Sequence, residues 1–560
     1  MKRFFTKYNL IFALIIFIAI FFRLYLLSSV PPSASLDEAT IGWNAYSIML
    51  TGHDEYGYHL PILLRAYDDY RPALYVYLVI PFIKLLGLNV LSVRLPSAIL
   101  SLITVVTSFF LSKVLLRKYK YEKWISLCVM GLFAISPFHI YISRLGHEAN
   151  PGLTFAVVGI TLFLWGIFSK RNWLVIFSFI FWAASFYTYQ SEKIFVPLII
   201  ITLLLSFYKD VLKNKKVIIL GFIIATMLSL PILFATLQPG SLLRAKGTSV
   251  FSDMHPYIVT SLKLEKAVKD HDIFGEIIYN RRFVPISIFV SNYLPHFNPI
   301  WWVSNYGLED FKAPGFGLSY PWELPFFLIG FIFLWRLKIA KSLKLLPIIW
   351  IFIAFLPAGI STQTPHAMRS FNILPVPQLI EAIGLFEIMI LIGKIKNFGK
   401  ILQYIFISTF SIFVVFGIIS FYRAYFIDFP RLESSQYQLA LHLAISYALS
   451  QNDYKYIAIS NQNQATQSYM FYLFDTKYDP IKYFKNGGTK SGGFSVSHHI
   501  DHVDFIPFAS DMKVKKETLY IGNRYLGTIN ALPDNISILK KFMGLYDTIE
   551  LVAFVPHFPR

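Results

Sequence analysis

An acidic pair that follows the first apolar segment is the sharpest chemical signal in the sequence. The stretch reads Ser35-Leu36-Asp37-Glu38-Ala39. A carboxylate within hydrogen-bond reach of a hydroxyl can take its proton as a general base. Asp37 could instead be the N-cap of a helix that runs from Glu38 to about Leu50, because aspartate is a favoured capping residue. Spacing alone leaves both interpretations open.

A second short polar stretch, Arg144-Leu145-Gly146-His147-Glu148-Ala149-Asn150-Pro151, separates two apolar runs. Its shortness should hold the charged side chains close to the membrane surface and near the loop that carries Asp37. We predict that Glu148 joins an acidic cluster with Asp37. The alternative is a solvated turn that ends one helix and begins the next at Pro151.

Basic side chains stand at the predicted starts of several apolar helices. They are Arg94, Lys193 and the pair His366 and Arg369 in Pro365-His366-Ala367-Met368-Arg369-Ser370. Guanidinium and ammonium groups, together with the free N–H groups of a helix N-terminus, can bind a lipid phosphate whose chain runs between helices. Each cation taken alone also fits an ordinary side chain that extends to the lipid headgroups.

Composition places these residues in a membrane protein. The 560 residues are 55% hydrophobic and only 15% charged, with a mean hydropathy of +0.54. The net charge of +19 does not indicate nucleic-acid binding, because the Lys and Arg residues form short clusters between apolar runs. Cys128 is the only cysteine, which excludes a disulfide framework and a thiolate metal site.

Apolar runs of roughly 17–25 residues predict membrane-spanning helices. We predict about eleven, at 8–28, 91–116, 124–142, 151–168, 173–188, 193–208, 216–236, 321–337, 344–360, 371–392 and 400–422. Basic loops fall at every second boundary, so the positive-inside rule places them and the N-terminus in the cytoplasm. The short segment 72–87, which contains Pro81, would break this alternation if it spanned the membrane, and we predict a helix that lies on or dips into the outer surface.

Two domains follow from this pattern. Residues 1–422 form the transmembrane domain, with an outer loop at 29–90 that contains the acidic pair and a second outer loop at 237–320. The tail, 423–560, has more charge and more turn residues, which predicts a soluble extracytoplasmic α/β domain. Its helix is expected at Gln436–Leu449, and strands are expected at Tyr454–Ser460 and Thr518–Ile521.

Taken together, residues 8–422 resemble the GT-C glycosyltransferases, specifically the family of protein O-mannosyltransferases and lipid A aminoarabinose transferases. The stretches that carry the resemblance are Leu36-Asp37-Glu38, Arg71-Pro72, Ser92-Val93-Arg94-Leu95-Pro96, Arg144 to Glu148, Tyr187 to Lys193 before Phe195-Val196-Pro197, and His366 to Arg369 before Pro375. Their order along the chain, all on one predicted side of the membrane, carries more weight than any single motif.

The resemblance implies a membrane glycosyltransferase that takes a sugar from a polyprenyl-phosphate donor and transfers it on the outer face. It places the catalytic base at Asp37, with Glu38 and Glu148 as further catalytic carboxylates. The implied substrate-binding residues are Arg71, Arg94, Arg144, His147, Tyr189, Lys193, His366 and Arg369. A single base predicts inversion of the anomeric configuration. The acceptor is a protein, a lipid or a polysaccharide, and a requirement for a divalent metal is left open.

Two other classes compete with the enzyme. A secondary transporter also has many helices, but it places ionisable groups near the bilayer midplane. Glu381 and Glu387 are such groups within a predicted span, whereas most other spans are free of charge. A non-catalytic membrane scaffold would leave the polar outer loops unexplained. Transfer of a labelled sugar from lipid to acceptor separates these classes.

Overall fold

The protein is a multi-pass α-helical membrane protein with a C-terminal mixed sheet. A computed structural model describes residues 7–560 except 68, 239, 242–246, 248, 306–310, 433, 494–495, 509–514, 524–535, 545–547 and 557–560. The α-helices of this part of the chain are α1 (Lys7–Leu24), α2 (Leu36–Thr51), α3 (Leu74–Leu86), α4 (Val90–Leu115), α5 (Glu122–Ile135), α6 (Pro137–Ser143), α7 (Ala149–Ser169), α8 (Asn172–Ser185), α9 (Glu192–Ser206), α10 (Tyr208–Lys213), α11 (Lys215–Thr236), α12 (His255–Lys269), α13 (Ile273–Ile278), α14 (Val284–Tyr293), α15 (Pro299–Val303), α16 (Glu323–Arg336), α17 (Lys341–Gly359), α18 (Val376–Gly393), α19 (Gly399–Tyr422), α20 (Phe429–Leu432), α21 (Leu439–Leu449), α22 (Ser468–Asp475) and α23 (Pro480–Lys485). The strands are β1 (Leu63–Ala66), β2 (Asp69–Pro72), β3 (Tyr456–Ser460), β4 (His498–Ile500), β5 (Val503–Ile506), β6 (Thr518–Gly522), β7 (Ile536–Met543) and β8 (Ile549–Pro556).

Each predicted span coincides with a helix. Among the described residues, seven helical segments are long and apolar enough to cross a membrane: α1, α4, α7, α11, α17, α18 and the continuous segment Gly399–Leu432. The bent pair α5 and α6, which meet at 56°, would make an eighth span. The other three predicted spans are α8, α9 and α16, with 14, 15 and 14 residues. A 15-residue helix rises only about 22 Å, less than the roughly 30 Å hydrocarbon core, so these three remain predictions.

The chain divides into two compact units. The first unit comprises residues 1–22, 100–142 and 149–419, and the second comprises 23–99, 143–148 and 420–560. The second unit therefore groups the tail with the first predicted outer loop and with the short stretch that contains His147. The boundary predicted at 422/423 lies close to the change of unit at 419/420.

In the first unit, α16 and α18 pack with their backbones in contact. A Cβ atom added to Gly330 would lie 1.9 Å from the carbonyl oxygen of Ile380, and one added to Gly384 would lie 2.2 Å from that of Phe326. Only glycine permits such an approach, because any side chain would overlap the neighbouring backbone. The two glycines therefore determine how closely these helices pack.

In the second unit, the segment after α1 folds into α2, a two-stranded antiparallel hairpin of β1 and β2, and the short helix α3. The expected helix at 72–87 is confirmed as α3, whose 13 residues are too few to cross a membrane. Its position on the outer surface remains a prediction.

The tail contains the expected α/β layer. Its six-stranded sheet has the order β4-β5-β3-β6-β8-β7, with β3 parallel to both β5 and β6 and the remaining pairs antiparallel. The predicted helix and both predicted strands are confirmed as α21, β3 and β6. One hydrophobic core joins the tail to the first loop: buried residues of α2, such as Trp43 and Ile48, belong to the same cluster as Phe471 and Ile459.

Candidate active site

The start of α2 positions the acidic pair, and its cap is Ser35. The Ser35 hydroxyl accepts the backbone N–H of Glu38 at 3.3 Å, and the Glu38 carboxylate accepts the backbone N–H of Ser35 at 2.9 Å. This reciprocal capping box satisfies two N–H groups that the helix would otherwise leave without partners. The interpretation of Asp37 as the N-cap is therefore wrong, and its side chain is not used for capping.

The Glu38 carboxylate lies at the centre of a buried polar network. Its two oxygens accept a bidentate pair of hydrogen bonds from Arg94, at 2.7 and 2.9 Å. The backbone N–H of Gly146 donates to the same carboxylate at 2.7 Å. Burial raises the pKa of Glu38, but the Arg94 guanidinium and the backbone donors outweigh burial and hold that pKa below its usual range. Glu38 is thus ionised and bound on both oxygens, and its predicted catalytic role would require these hydrogen bonds to break.

Arg94 is completely buried and uses every donor it has. Besides the Nε and Nη2 bonds to Glu38, Nη1 donates to the carbonyls of Leu27 and Pro31 at 3.1 and 2.8 Å, and Nη2 donates to Ser33 at 2.6 Å. A guanidinium has five N–H donors, so none is left for a phosphate. In this structure the Arg94 side chain holds the segment before α2 in place, and the predicted binding of the donor phosphate would require some of these hydrogen bonds to break.

Asp37 lies on a partly exposed cluster of charged groups. Its carboxylate forms an ion pair with Nη1 of Arg71 at 2.7 Å, and 31% of the Asp37 side chain is exposed. The His147 ring lies between two carboxylates, with Nε2 at 3.9 Å from Asp37 and Nδ1 at 3.5 Å from Glu148. The structure therefore brings Asp37, Arg71, His147 and Glu148 together, as the sequence analysis predicts for the two carboxylates.

Arg71 is held by acidic groups on both sides of it. Its Nε lies 3.3 Å from an Asp69 oxygen, whereas Nη1 contacts Asp37. Burial lowers the pKa of Arg71, but the charges of Asp37, Glu148 and Asp69 outweigh burial and raise that pKa above its usual value. Arg71 therefore stays charged, with 18% of its side chain exposed beside Asp37. Asp68, the residue before Asp69, lies outside the described residues.

Arg144 faces the interior of the second unit. Its side chain is buried, Nη2 donates to the Val30 carbonyl at 2.9 Å, and the guanidinium carbon lies 4.9 and 5.6 Å from the ring centres of Phe426 and Tyr425. Contact with aromatic faces stabilises a cation that has left water. The predicted substrate-binding role of Arg144 does not fit this buried position. It fixes the segment before α2, as Arg94 does.

The predicted substrate-binding residues of the first unit form two groups. In the first group, Lys193 Nζ donates to the Thr236 hydroxyl at 2.9 Å, and Tyr189 is largely buried. The neighbouring Glu192 is completely buried and accepts a hydrogen bond from the Asn372 amide at 2.7 Å. This carboxyl, which the sequence analysis does not single out, lies within the same helical turn as Lys193.

In the second group, His366 and Arg369 lie at a short 3₁₀ turn that precedes α18. Nη1 of Arg369 donates to the hydroxyl of Ser361 at 2.8 Å and to the carbonyl of Thr362 at 2.5 Å. The backbone N–H of His366 donates to the His296 ring at 3.2 Å. Both side chains are partly exposed.

Two residues that shape the site, Ser35 and Gly146, are not singled out by the sequence analysis. Ser35 could be found as the first residue of a Ser-x-x-Glu capping pattern. Gly146 could not, because its role depends on a close approach: a Cβ atom there would lie 2.6 Å from Val93 and 3.2 Å from Glu38. Among the described residues, no group of three or more His, Cys, Asp or Glu side chains is arranged to hold a metal ion.

No protein-family model matches this sequence, and no curated protein matches it. Several solved structures do match it. ArnT from Cupriavidus metallidurans, bound to undecaprenyl phosphate, superposes with a TM-score of 0.53 at 9% identity, and the match covers 97% of each chain. The same protein in the apo state gives 0.52 at 10% identity, again with 97% of each chain covered.

The Archaeoglobus fulgidus oligosaccharyltransferase, tethered with an acceptor peptide, gives a TM-score of 0.51 at 12% identity. The match covers 84% of this chain but only 63% of the oligosaccharyltransferase, so this chain spans less than two thirds of that protein's length. The fold shared with these proteins is that of the GT-C membrane glycosyltransferases, which confirms the fold expected from the resemblance.

Proposed function

We propose that this protein is a membrane glycosyltransferase that moves a sugar from a polyprenyl-phosphate donor to an acceptor on the outer face of the membrane. The observation that carries the proposal is the partly exposed Asp37, paired with Arg71 beside His147 and Glu148. The fold supports it, because the C. metallidurans ArnT that shares this fold is seen bound to undecaprenyl phosphate.

In the proposed reaction, an acceptor hydroxyl attacks the anomeric carbon of the donor sugar. Asp37 takes the hydroxyl proton, while the bond between the anomeric carbon and the phosphate oxygen breaks and its electron pair stays on the phosphate. A phosphate is already a good leaving group, so stabilising its charge matters more than protonating it. A positioned general base increases the reaction rate by about 10²–10⁴-fold.

The charged neighbours of Asp37 have distinct proposed roles. Arg71 pairs with Asp37 and orients it, and the exposed part of Arg71 is available to the donor phosphate. His147 and Glu148 line the acceptor side of the same cluster. Lys193, His366 and Arg369 of the first unit, together with Tyr189, remain proposed donor-binding groups, each to be tested by its effect on the KM for the donor.

The test of the proposed function is a transfer assay with purified protein and a radiolabelled polyprenyl-phosphate sugar. We expect Asp37→Asn to lower kcat by about 100-fold or more with little change in the KM for the donor, because the amide cannot accept a proton. Asp453→Asn, an exposed aspartate of the tail, is the matched control and should behave like wild type. Turnover of Asp37→Asn within a few-fold of wild type would exclude Asp37 as the base.

The stereochemistry of the product tests the single-base mechanism. One base and a direct displacement invert the anomeric configuration, whereas retention requires a carboxylate nucleophile and a covalent intermediate. We expect inversion, measured by NMR of the product. Retention would instead indicate that Asp37 or Glu148, the two carboxylates beside His147, is the nucleophile.

The side of the membrane and the acceptor need separate experiments. Cysteines introduced at positions 58 and 213, in a background without Cys128, should react with an impermeant reagent from the outside and from the cytosol, respectively, because Tyr58 and Lys213 are both exposed. Labelling of position 58 only from the cytosol would contradict the outer-face proposal. Mass spectrometry of surface glycans, with and without the protein, then distinguishes protein, lipid and polysaccharide acceptors.

A further inference from the structure

A histidine of the tail contacts the backbone directly before the acidic pair. His442 lies in α21, and its Nε2 is 3.0 Å from the carbonyl oxygen of Ala34. Its Nδ1 is 2.8 and 2.7 Å from the two carboxylate oxygens of Asp475, the last residue of α22. Ala34 is followed by Ser35, the cap of α2, so this contact lies three residues before Asp37.

Both ring nitrogens of His442 face hydrogen-bond acceptors. A carbonyl oxygen can only accept, and an ionised Asp475 can only accept, whereas a neutral imidazole has a single N–H to donate. Satisfying both contacts therefore requires one additional proton, carried by the ring as an imidazolium or shared with Asp475. When that proton is lost, one of the two contacts must lose its hydrogen bond.

The surroundings of His442 favour the protonated form. Its side chain is 12% exposed, and the edge of the Phe471 ring packs against it with the ring centres 5.1 Å apart. The charged groups that act on it are the carboxylates of Asp475 and Glu38. Burial lowers the pKa of His442, but Asp475, the Ala34 carbonyl and Glu38 outweigh burial and raise that pKa above its usual value.

The contact acts on the segment before α2, which Arg94, Arg144 and the tail all hold. Arg94 draws the carbonyls of residues 27–33 toward its guanidinium, and the tail holds the same segment through His442 and through a hydrogen bond from the Ser33 hydroxyl to the carbonyl of Tyr437. The direction of α2, and with it that of the Asp37 side chain, depends on both anchors.

We propose that His442 is a positioning residue for sugar transfer: in its doubly protonated form it ties Asp475 of the tail to the Ala34 carbonyl, and so holds Asp37 in its working orientation. This inference rests on the proposed function, because it assigns His442 a purpose only if Asp37 acts in the reaction. It makes turnover sensitive to the protonation of a group that does not touch the substrate. The tail thereby takes part in the activity of the first loop.

The experiment compares His442→Gln and His442→Ala with wild type across pH 6–9. Glutamine keeps a neutral donor at the position of Nε2, so we expect it to retain most of the neutral-pH turnover and to remove the fall in kcat at alkaline pH. Alanine should lower kcat about tenfold at every pH with the KM for the donor nearly unchanged, as expected for a lost positioning contact. His502→Gln, an exposed histidine of the same tail, is the matched control.

A second measurement does not depend on activity. The protection of the backbone amides in residues 33–40, measured as the exchange rate relative to the intrinsic rate at the same pH, should be lower in His442→Ala than in wild type. In wild type this protection should fall with rising pH, whereas in His442→Gln it should not. If wild type transfers no sugar, the proposed function fails, and this exchange still tests the anchor. If wild type is active but His442→Gln keeps the alkaline fall in kcat, or if exchange in His442→Ala is unchanged, the positioning role is overturned.

Discussion

Asp37 and Glu38 are adjacent carboxylates with opposite surroundings. Glu38 is buried and accepts hydrogen bonds from Arg94, Gly146 and Ser35, whereas Asp37 is partly exposed and faces Arg71 and His147. A carboxylate that already accepts several hydrogen bonds is a poor base because protonation would sacrifice them. This difference supports the proposal that Asp37, rather than Glu38, is the base.

The ion pair of Arg94 and Glu38 should matter more for stability than for donor binding. Removing one partner of a buried pair leaves an uncompensated charge, so we expect Arg94→Gln to lower the free energy of unfolding by about 3–5 kcal/mol. The double variant Glu38→Gln with Arg94→Gln should recover part of that loss, since no charge is then buried. Thermal unfolding in detergent measures both changes.

The opposite outcome would restore a phosphate-binding role for Arg94. If Arg94→Gln unfolds like wild type but raises the KM for the donor strongly, its guanidinium must contact the donor. The single variants Arg94→Gln and Glu38→Gln and the double variant form a double-mutant cycle. This cycle gives the coupling energy of the pair directly, because each single change removes the same contact.

Glu55 introduces a pH dependence of stability. It is fully buried, and its Oε2 accepts hydrogen bonds from Tyr469 at 2.9 Å and from Thr489 at 3.0 Å. Burial raises the pKa of Glu55 from 4.5 to about 7. Between pH 4.5 and about pH 7, the native state therefore keeps a proton on Glu55 that the unfolded chain loses. The resulting stabilisation is fully present below pH 4.5 and is lost as the pH rises to about 7.

We expect wild type to lose on the order of 3 kcal/mol of this stabilisation between pH 4.5 and pH 7, whereas Glu55→Gln should lose none of it, because an amide does not titrate. The difference in melting temperature between the two proteins, followed across that range, isolates the group. Parallel curves for the two proteins would show that the pKa of Glu55 is the same in the native and unfolded states.

At the scale of elements, α2 is held at both ends by the tail. His442 contacts the backbone before its first residue, and Glu55, just after its last turn, bonds to Tyr469 and Thr489. Between these ends, the Trp43 indole donates to the carbonyl of Tyr478 at 3.2 Å. A helix with fixed ends can present Asp37 in one direction, which a catalytic group requires.

The close packing of α16 against α18 should not tolerate a side chain. We expect Gly330→Val to prevent correct folding of the first unit, because its Cβ would overlap the Ile380 carbonyl. Gly131→Ala in α5 is the matched control: its Cβ would have nothing nearer than Ile15 at 3.7 Å, and alanine favours a helix by about 1 kcal/mol over glycine. Monodispersity in detergent and melting temperature distinguish the two variants. A Gly330→Val protein that melts like wild type would contradict the observed helix contact.

At the scale of the whole molecule, the tail and the first loop share one core. Trp43 and Ile48 of α2 lie in the same hydrophobic cluster as Phe471 and Leu441 of the tail. Burial of each large apolar side chain stabilises by about 1.5–3 kcal/mol, so a loop deprived of this core would expose several such groups.

A chain that ends after Leu432 should therefore lose transfer activity and should aggregate, although every candidate membrane span is intact. A chain that ends after Pro556 keeps every described strand of the sheet and serves as the control. Protease resistance of residues 29–90 measures the expected loss of structure directly. Full activity of the shorter chain would mean that the tail is not needed to hold the site.

The sequence by itself determined the membrane class, the positions of the apolar helices and the α/β tail. Hydropathy and turn composition act locally, so a window of about twenty residues contains the information for a span or a strand. The family resemblance located the same loops. None of this required knowing which distant residues meet.

Only the tertiary structure decided the different surroundings of Asp37 and Glu38, the buried hydrogen bonds of Arg94 and Arg144, and the contact of His442 with Ala34. The bond between Arg94 and Glu38 joins residues 56 apart in sequence, and that between His442 and Ala34 joins residues 408 apart. Burial and saturation of hydrogen bonds determine whether a charged group can react. They arise from these distant contacts, which residue type and spacing along the chain do not reveal.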